Sequence, residues 1–333
     1  MGKADSLTKQ YMQDTAVFAD VFNYYIYKGR QVIKPEQLHE LDTTMVLSID
    51  KGTGSTQVQK YRDVLKYVTA MEDGEAAYVI LGIENQTHID YAMPIRNSIY
   101  DAVQYGMQAS ETARKHRREG TFDSEDEFLS GFGKDDRIIP VITLVFYFGT
   151  DRWTAPRSLH EMFRREMGED DVLLRYVPDY KINLIEPAAM TDDDIGRFQT
   201  DLRNVVSYIR CGRNKNKLNE LLENDMSFQN VRRLTAELLN EITDTRIKIP
   251  DKEGNVNMCK AIQDMRNEAI QMGRAEGRAE GRAEGEAKGE EKGRFAILNK
   301  LVRESMLTIK NAAAMAEISE EQFREQYEKA MTV

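Results

Sequence analysis

The stretch AAYVILGIENQ, residues 76–86, decides the fold that this sequence predicts. Its short apolar run carries almost no polar side chain, which is typical of a β-strand buried on both faces. The run ends in Glu84, and Gln86 follows two places later. Residues two apart on a strand point to the same side, so these two side chains form a pair on one face. A carboxylate at the end of a buried strand is costly unless a cation meets it, so we expect a charged partner for Glu84.

A second strand is predicted upstream of this one. Residues 59–68, QKYRDVLKYV, alternate in a strand-like pattern, and a turn around residues 72–74 would join the two strands. Asp63 would then lie across the sheet from the neighbourhood of Glu84. The alternative interpretation of residues 76–86 is a strand that frays into a polar loop.

A helix is predicted downstream of the same stretch, from about residue 91. Pro94 would occupy the first turn, where its missing N–H costs little. Arg96 and Tyr100 are spaced i and i+4, so they share one face of this helix. The helix therefore supplies a cation that could face the strand ends.

An aspartate, a Glu-x-Gln at a strand end and a helix with Arg-x-x-x-Tyr together resemble the PD-(D/E)xK nuclease superfamily. More narrowly, the chain resembles the bacterial family of recombination-promoting nucleases and putative transposases. The segments that carry this narrower resemblance are residues 18–23, 31–36, 140–149 and 153–162. The resemblance implies an α/β fold, with a restriction-endonuclease-like mixed central sheet flanked by helices and a C-terminal helical extension.

The resemblance also implies an activity, that of a metal-dependent DNA endonuclease serving recombination or mobile elements. Asp63 and Glu84 would hold one or two Mg²⁺ or Mn²⁺ ions, hard cations that prefer oxygen ligands. The backbone carbonyl of Asn85 would supply a further oxygen. Asp20, in a helix predicted over residues 15–27, is an additional candidate ligand, and the alternative for it is a plain solvent-facing side chain.

Gln86 departs from the superfamily pattern, which has lysine at this position. A neutral amide can position a water but cannot stabilise a developing anion as an ammonium group would. The missing cation could come from Arg96, Lys60 or Lys66. We favour Arg96, because it should face the strand ends whereas Lys66 should point away. Tyr100 would support Glu84 or Arg96 by a hydrogen bond. The alternative for the arginine and the tyrosine is a helix-to-sheet salt bridge with core packing.

The overall charge restricts how the chain can bind DNA. The chain has 333 residues and a net charge of −10, so we do not expect it to bind nucleic acid over a large part of its surface, since phosphate contacts need Lys or Arg. Basic groups would have to act locally, and the densest cluster follows the Arg96 helix. The candidate phosphate contacts in it are Arg114, Lys115, Arg117 and Arg118. A solvated helix end is the alternative interpretation.

Other features of the sequence bear on location. No apolar run approaches the length of a membrane span, and no N-terminal segment resembles a secretion signal. The two cysteines, Cys211 and Cys259, are far apart and lack metal-ligand spacing. These observations predict a cytoplasmic protein with no membrane partner.

Four regions are predicted along the chain. Residues 1–187 would form the nuclease core, 188–272 a helical extension, 273–294 a spacer or coiled segment, and 295–333 a helical tail. In the third region glycine recurs every fourth residue, and each glycine costs a helix about 0.8–1 kcal/mol relative to alanine. We therefore expect a spacer that becomes helical on self-association, with homo-oligomers formed through the repeat and the tail.

The sequence leaves two functions open. The first is the metal-dependent endonuclease. The second is a catalytically weak or inactive relative that acts as a DNA-binding or self-associating scaffold. A divalent ion at Asp63 and Glu84 would favour the first, and a site filled by an Arg96 salt bridge would favour the second.

Overall fold

The structure is a computed structural model that describes residues 2–41, 44–50, 55–61, 63–72, 75–164, 172–243, 245, 247–249 and 254–331. The chain divides into two compact units, Met1–Ile262 and Gln263–Val333. Within the described residues, the first unit is an α/β structure and the second is helical.

The strands of the described residues form a mixed sheet and a separate hairpin. They are β1 (Leu38–Glu40), β2 (Thr44–Asp50), β3 (Ser55–Tyr61), β4 (Val64–Glu72), β5 (Glu75–Gln86), β6 (Val141–Tyr147) and β7 (Asn183–Ile185). The sheet has the order β1-β4-β5-β6-β7, while β2 and β3 pair only with each other. β4 is antiparallel to β1 and β5, whereas β5, β6 and β7 run parallel. The predicted mixed central sheet is confirmed.

Residues 76–86, predicted to be a buried strand, belong to the central strand β5. It is buried at Ile80, Leu81 and Ile83, as expected for a strand covered on both faces. The single strand predicted over residues 59–68 is wrong, because the chain there is divided between β3 and β4. The residues up to Tyr61 belong to the β2–β3 hairpin, so Asp63 lies between two strands and directly before β4.

The α-helices of the described residues belong to both units of the chain. They are α1 (Lys3–Gln13), α2 (Thr15–Tyr27), α3 (Met93–Glu119), α4 (Glu125–Ser130), α5 (Asp192–Gly196), α6 (Leu202–Cys211), α7 (Lys215–Asn224), α8 (Arg233–Thr243), α9 (Met258–Arg303), α10 (Ile309–Met315) and α11 (Glu320–Met331). The predicted helix over residues 15–27 is confirmed as α2. Asp14 caps its first turn, and Lys28 ends it in a left-handed conformation.

Two hydrophobic clusters define the two faces. On one face, Val103 of α3 packs with Leu65 and Ile80 of the sheet. On the other face, residues of α1, α2, α6 and α8 share one cluster with the sheet, which includes Ile83 and Val205. The composition of the chain changes near residue 187, but the hydrophobic core does not end there.

The second unit contains the glycine repeat and a small bundle. The repeat lies within α9 and is helical in the single chain, where the sequence predicted a helix only on self-association. Helix-forming Arg, Ala and Glu residues between the glycines favour this. The end of α9 packs with α10 and α11 around a separate core of Leu298, Ala312, Ala313, Ala316 and Phe323. None of the helices in the described part of the chain has the length and apolar character that a bilayer span requires.

Candidate active site

The site begins with the polar end of β5. Glu84 and Gln86 alternate in phase with Ile80, so their side chains lie on the face that α3 covers. Glu84 is 0% exposed and Gln86 is buried as well. Val145 and Tyr147 of β6 stand beside them in the parallel register. A buried carboxylate here requires a cationic neighbour.

Asp63 stands opposite the end of β5, where β4 begins. Its Oδ2 accepts a hydrogen bond from the backbone N–H of Asn85 at 2.8 Å. A strand residue directs its N–H and its C=O to the same edge, so the carbonyl of Asn85 also faces the Asp63 side. Burial raises the pKa of the Asp63 carboxyl, against the opposing effects of this hydrogen bond and of the Arg96 charge.

Arg96, in the first turns of α3, is the cationic neighbour of Glu84. Its Nη2 lies 3.3 Å from Glu84 Oε2, and its Nη1 lies 3.4 Å from Asp90 Oδ2. Its Nε donates a hydrogen bond to the Tyr100 hydroxyl at 2.9 Å. Burial lowers the pKa of Arg96, but this hydrogen bond and the Glu84 charge outweigh it and raise that pKa above its usual value. The i, i+4 pairing expected for Arg96 and Tyr100 is present.

A cavity of about 280 Å³ opens at this edge of the sheet. It is lined by Asp5, Thr8, Asp63, Asn85, Gln86, Thr87, His88 and Arg96. Sequence reasoning missed the contribution of α1, because Asp5 and Thr8 reach the cavity only through the tertiary fold. His88 carried a local signal, since it follows Gln86 by two residues at the strand end.

The oxygen donors at the cavity, Asp63 and Asn85, together with the buried Glu84 behind Arg96, suit a hard divalent cation. The carboxylates of Asp63 and Glu84 and the carbonyl of Asn85 are oxygen ligands of the kind that Mg²⁺ and Mn²⁺ take. Among the described residues, no three His, Cys, Asp or Glu side chains form a group that could hold a metal unaided. An ion here would complete its shell with water and phosphate oxygens, as Mg²⁺ commonly does. The residues fit, and the ion remains a prediction.

Asp20 does not reach the cavity. It is 1% exposed, and its carboxylate accepts hydrogen bonds from the backbone N–H groups of Gln199 and Thr200 at 2.9 and 2.8 Å. The Thr200 hydroxyl donates a third hydrogen bond at 2.7 Å. Asp20 is therefore neither beside the other candidate ligands nor facing solvent. Its hydrogen bonds connect α2 to the loop that precedes α6.

Lys66 points away from the cavity, as its position relative to Asp63 predicted. It is fully buried against the α1 and α2 side, where its Nζ donates to the Gln13 carbonyl at 2.9 Å. The same ammonium group lies 5.4 Å from the ring centre of Phe18. Arg96, by contrast, contacts Glu84.

The basic cluster predicted to contact phosphate lies at the far end of α3. Arg114, Lys115 and Arg118 line a surface depression of their own, and Arg117 belongs to the last turn of the helix. At 1.5 Å rise per residue, Arg114 is about 27 Å from Arg96 along the helix axis. The cluster is therefore separate from the cavity, and its contact with DNA remains a prediction.

A mixed sheet flanked by helices, with carboxylates at the adjoining ends of two strands, defines an α/β protein of the PD-(D/E)xK-like class. The family model described as "Putative transposase, YhgA-like" matches residues 3–238, and the chain belongs to this family. The match includes the sheet and the cavity and ends inside α8. Neither the curated proteins nor the solved structures gave a match. Membership associates the chain with mobile elements and with the processing of nucleic acid.

Proposed function

We propose that the protein is a metal-dependent DNA endonuclease that hydrolyses phosphodiester bonds in the service of recombination or mobile elements. The observation that carries this proposal is the meeting of Asp63, Gln86 and Arg96 at one cavity, with Arg96 also touching the buried Glu84. Membership of a transposase family supports a nucleic acid as the substrate. The donor set and the neighbouring cation are what in-line hydrolysis of a phosphodiester requires.

Each residue has a role that its position permits. Asp63, Glu84 and the Asn85 carbonyl would hold the ion, which supplies charge neutralisation at the phosphate and an activated water. The Gln86 amide orients the attacking water at the cavity wall. Arg96 lies beside the carboxylates. Its guanidinium group is permanently charged and can turn toward the phosphoryl oxygens as negative charge develops there. Tyr100 holds Arg96 through its hydroxyl.

Plasmid nicking tests the proposal directly. Supercoiled DNA incubated with the folded protein should be nicked in Mg²⁺ or Mn²⁺ and left intact in chelator. Glu84→Gln keeps the side-chain volume but removes a ligand charge, so we expect nicking to fall by about 100-fold or more. Glu237→Gln makes the same charge change on α8 and should nick as the wild type does. Equal nicking by the Glu84→Gln and wild-type proteins would overturn the proposal.

The Arg96–Glu84 pair supports a second candidate function. At 3.3 Å, Arg96 already neutralises Glu84 without an ion, and Gln86 lacks the charge of the usual lysine. A relative that binds DNA or self-associates without cutting would retain these contacts. Folded protein that nicks no plasmid with either metal would favour this scaffold function.

Direct Mn²⁺ binding separates the two functions without reference to activity. In the endonuclease, Arg96 and the ion compete for Glu84, so Arg96→Gln should tighten Mn²⁺ binding by about tenfold through lost charge repulsion. Electron paramagnetic resonance of free Mn²⁺ would measure the change, with Arg137→Gln as the control of equal charge. The scaffold function predicts no Mn²⁺ binding in either protein. Binding that is unchanged by Arg96→Gln would show that the ion does not use Glu84.

A further inference from the structure

A second charged group lies at the end of β7, apart from the residues of the cavity. Glu186 follows β7 directly, and its side chain is 6% exposed. Its Oε1 accepts a hydrogen bond from the backbone N–H of Trp153 at 2.9 Å and lies 2.8 Å from Arg152 Nε. Its Oε2 accepts a hydrogen bond from Arg157 Nη2 at 2.8 Å. One buried carboxylate thus fixes two arginines.

This group stands at the same edge of the sheet as the cavity. Strands β5, β6 and β7 are parallel, with Gln86 beside Tyr147 and Phe146 beside Ile185. Glu186 therefore comes level with Tyr147, two strands from Gln86. At a strand spacing of about 4.8 Å, the backbone of Glu186 is about 10 Å from the backbone of Gln86. The basic cluster at the end of α3 is much farther from the cavity.

The packing between the two groups is continuous. The rings of Tyr147 and Trp153 meet edge to face, with their centroids 5.3 Å apart. Met93, one turn before Arg96 on α3, is buried in the same cluster. The loop that carries the two arginines is therefore held against the same helix start that positions Arg96.

The arginines remain available to a ligand although they touch Glu186. Their side chains are 66% exposed for Arg152 and 52% exposed for Arg157. A guanidinium has five N–H donors in a planar fork, and Glu186 engages only part of each fork. Glu186 and the neighbouring Glu161 balance the two arginine charges, so a phosphate would be bound through the guanidinium N–H donors that remain open and not through a net positive charge. Of the acids nearby, Asp151 pairs with Arg213, and Glu161 accepts the backbone N–H of Arg157.

Paired, exposed arginines fixed by a buried carboxylate suit a phosphate ester. Arginine binds phosphate through two parallel hydrogen bonds, and a fixed side chain loses little conformational freedom on binding. Duplex DNA rises 3.4 Å along its axis per nucleotide, and each strand also winds around that axis, so a site about 10 Å from the cavity lies within a few nucleotides of it. One DNA strand could therefore reach both places.

We propose that Arg152 and Arg157, held by Glu186, bind backbone phosphates of the DNA strand whose scissile phosphate enters the cavity lined by Asp63, Gln86 and Arg96. The assignment rests on the proposed endonuclease function for its choice of DNA as ligand. It gives this acidic protein local guanidinium donors for phosphate, although its overall charge disfavours DNA.

Salt-dependent binding in chelator tests the assignment without any cleavage. The affinity of the full chain for a fluorescent DNA duplex would be measured by anisotropy at several salt concentrations. For Arg152→Gln combined with Arg157→Gln, the slope of log K against log salt should fall by about 1.8, from two lost phosphate contacts. The matched control is Lys134→Gln with Arg137→Gln, which also removes two exposed positive charges. Both residues precede β6 and lie at the end of β6 that is away from the cavity.

The outcomes separate this inference from the proposed function. A slope that falls equally in both double variants, or in neither, would overturn the phosphate site, and so would wild-type protein that binds no DNA. Plasmid nicking by the wild type is measured separately. If the wild type does not nick but the slope falls only in the Arg152→Gln, Arg157→Gln variant, the endonuclease function is overturned and the phosphate site is retained. Should the double variant unfold, Arg152→Gln alone, at the more exposed arginine, should lower the slope by about 0.9.

Discussion

Asp63→Asn is expected to reduce metal-dependent nicking by about 100-fold or more while it stabilises the folded protein at neutral pH. Asparagine keeps an oxygen that can accept the backbone N–H of Asn85, now 2.8 Å from Asp63 Oδ2, so the local geometry should persist. It lacks the negative charge that a divalent ion needs. The loss of activity would thus come from chemistry and not from unfolding.

The gain in stability follows from the pKa of Asp63, which burial raises above the reference value of 3.8. A raised carboxyl pKa means that the folded state holds the proton more tightly than the unfolded state does. Ionising Asp63 therefore costs more free energy in the folded state than in the unfolded state. This cost grows as the pH rises from the pKa of the unfolded state through the pKa of the folded state. Asparagine does not ionise, so its advantage should be full at neutral pH and vanish below about pH 3.8.

Thermal unfolding between pH 3 and 8 would measure this difference. Asp136→Asn is a control of opposite sign, because the hydrogen bond from His116 lowers the pKa of the Asp136 carboxyl. That variant should lose stability at neutral pH and converge with the wild type as pH falls through the folded pKa. An Asp63→Asn protein less stable than the wild type at pH 7 would contradict the burial argument.

The parts of this fold that the sequence predicted are those with local signals. The apolar run before Glu84 predicted the central strand, a helix was predicted over residues 15–27, where α2 lies, and Pro94 marked the start of α3. The i, i+4 spacing of Arg96 and Tyr100 predicted their contact, which has an N–O distance of 2.9 Å. In each case a few neighbouring residues carry the information, so no knowledge of the tertiary fold was needed.

What the sequence did not predict depends on residues distant along the chain. The α1 residue Asp5 lines the cavity, and the arginines near Trp153 depend on Glu186, which lies beyond another loop. The sequence also does not distinguish a carboxylate that binds a metal from one that accepts backbone hydrogen bonds. Asp20 illustrates this, because its partners at Gln199 and Thr200 are known only from the fold.

Asp20→Ala is expected to lower the free energy of unfolding by about 3 kcal/mol. The substitution leaves the backbone N–H groups of Gln199 and Thr200 without their charged acceptor in a buried setting. Urea unfolding would measure the loss. Asp20→Asn retains one acceptor oxygen and should lose about half as much, because hydrogen bonds to a neutral oxygen are weaker than those to a carboxylate.

The same pair of variants decides whether Asp20 is a metal ligand, as the family resemblance implied. A structural Asp20 predicts that Asp20→Asn, measured below its unfolding temperature, nicks plasmid and binds Mn²⁺ as the wild type does. A ligand would behave like Glu84, with nicking and Mn²⁺ binding both lost from a folded protein. The carboxylate can serve only one of these purposes at a time, because the loop before α6 already engages its oxygens. We therefore expect stability to change with Asp20 and activity per folded molecule to remain constant.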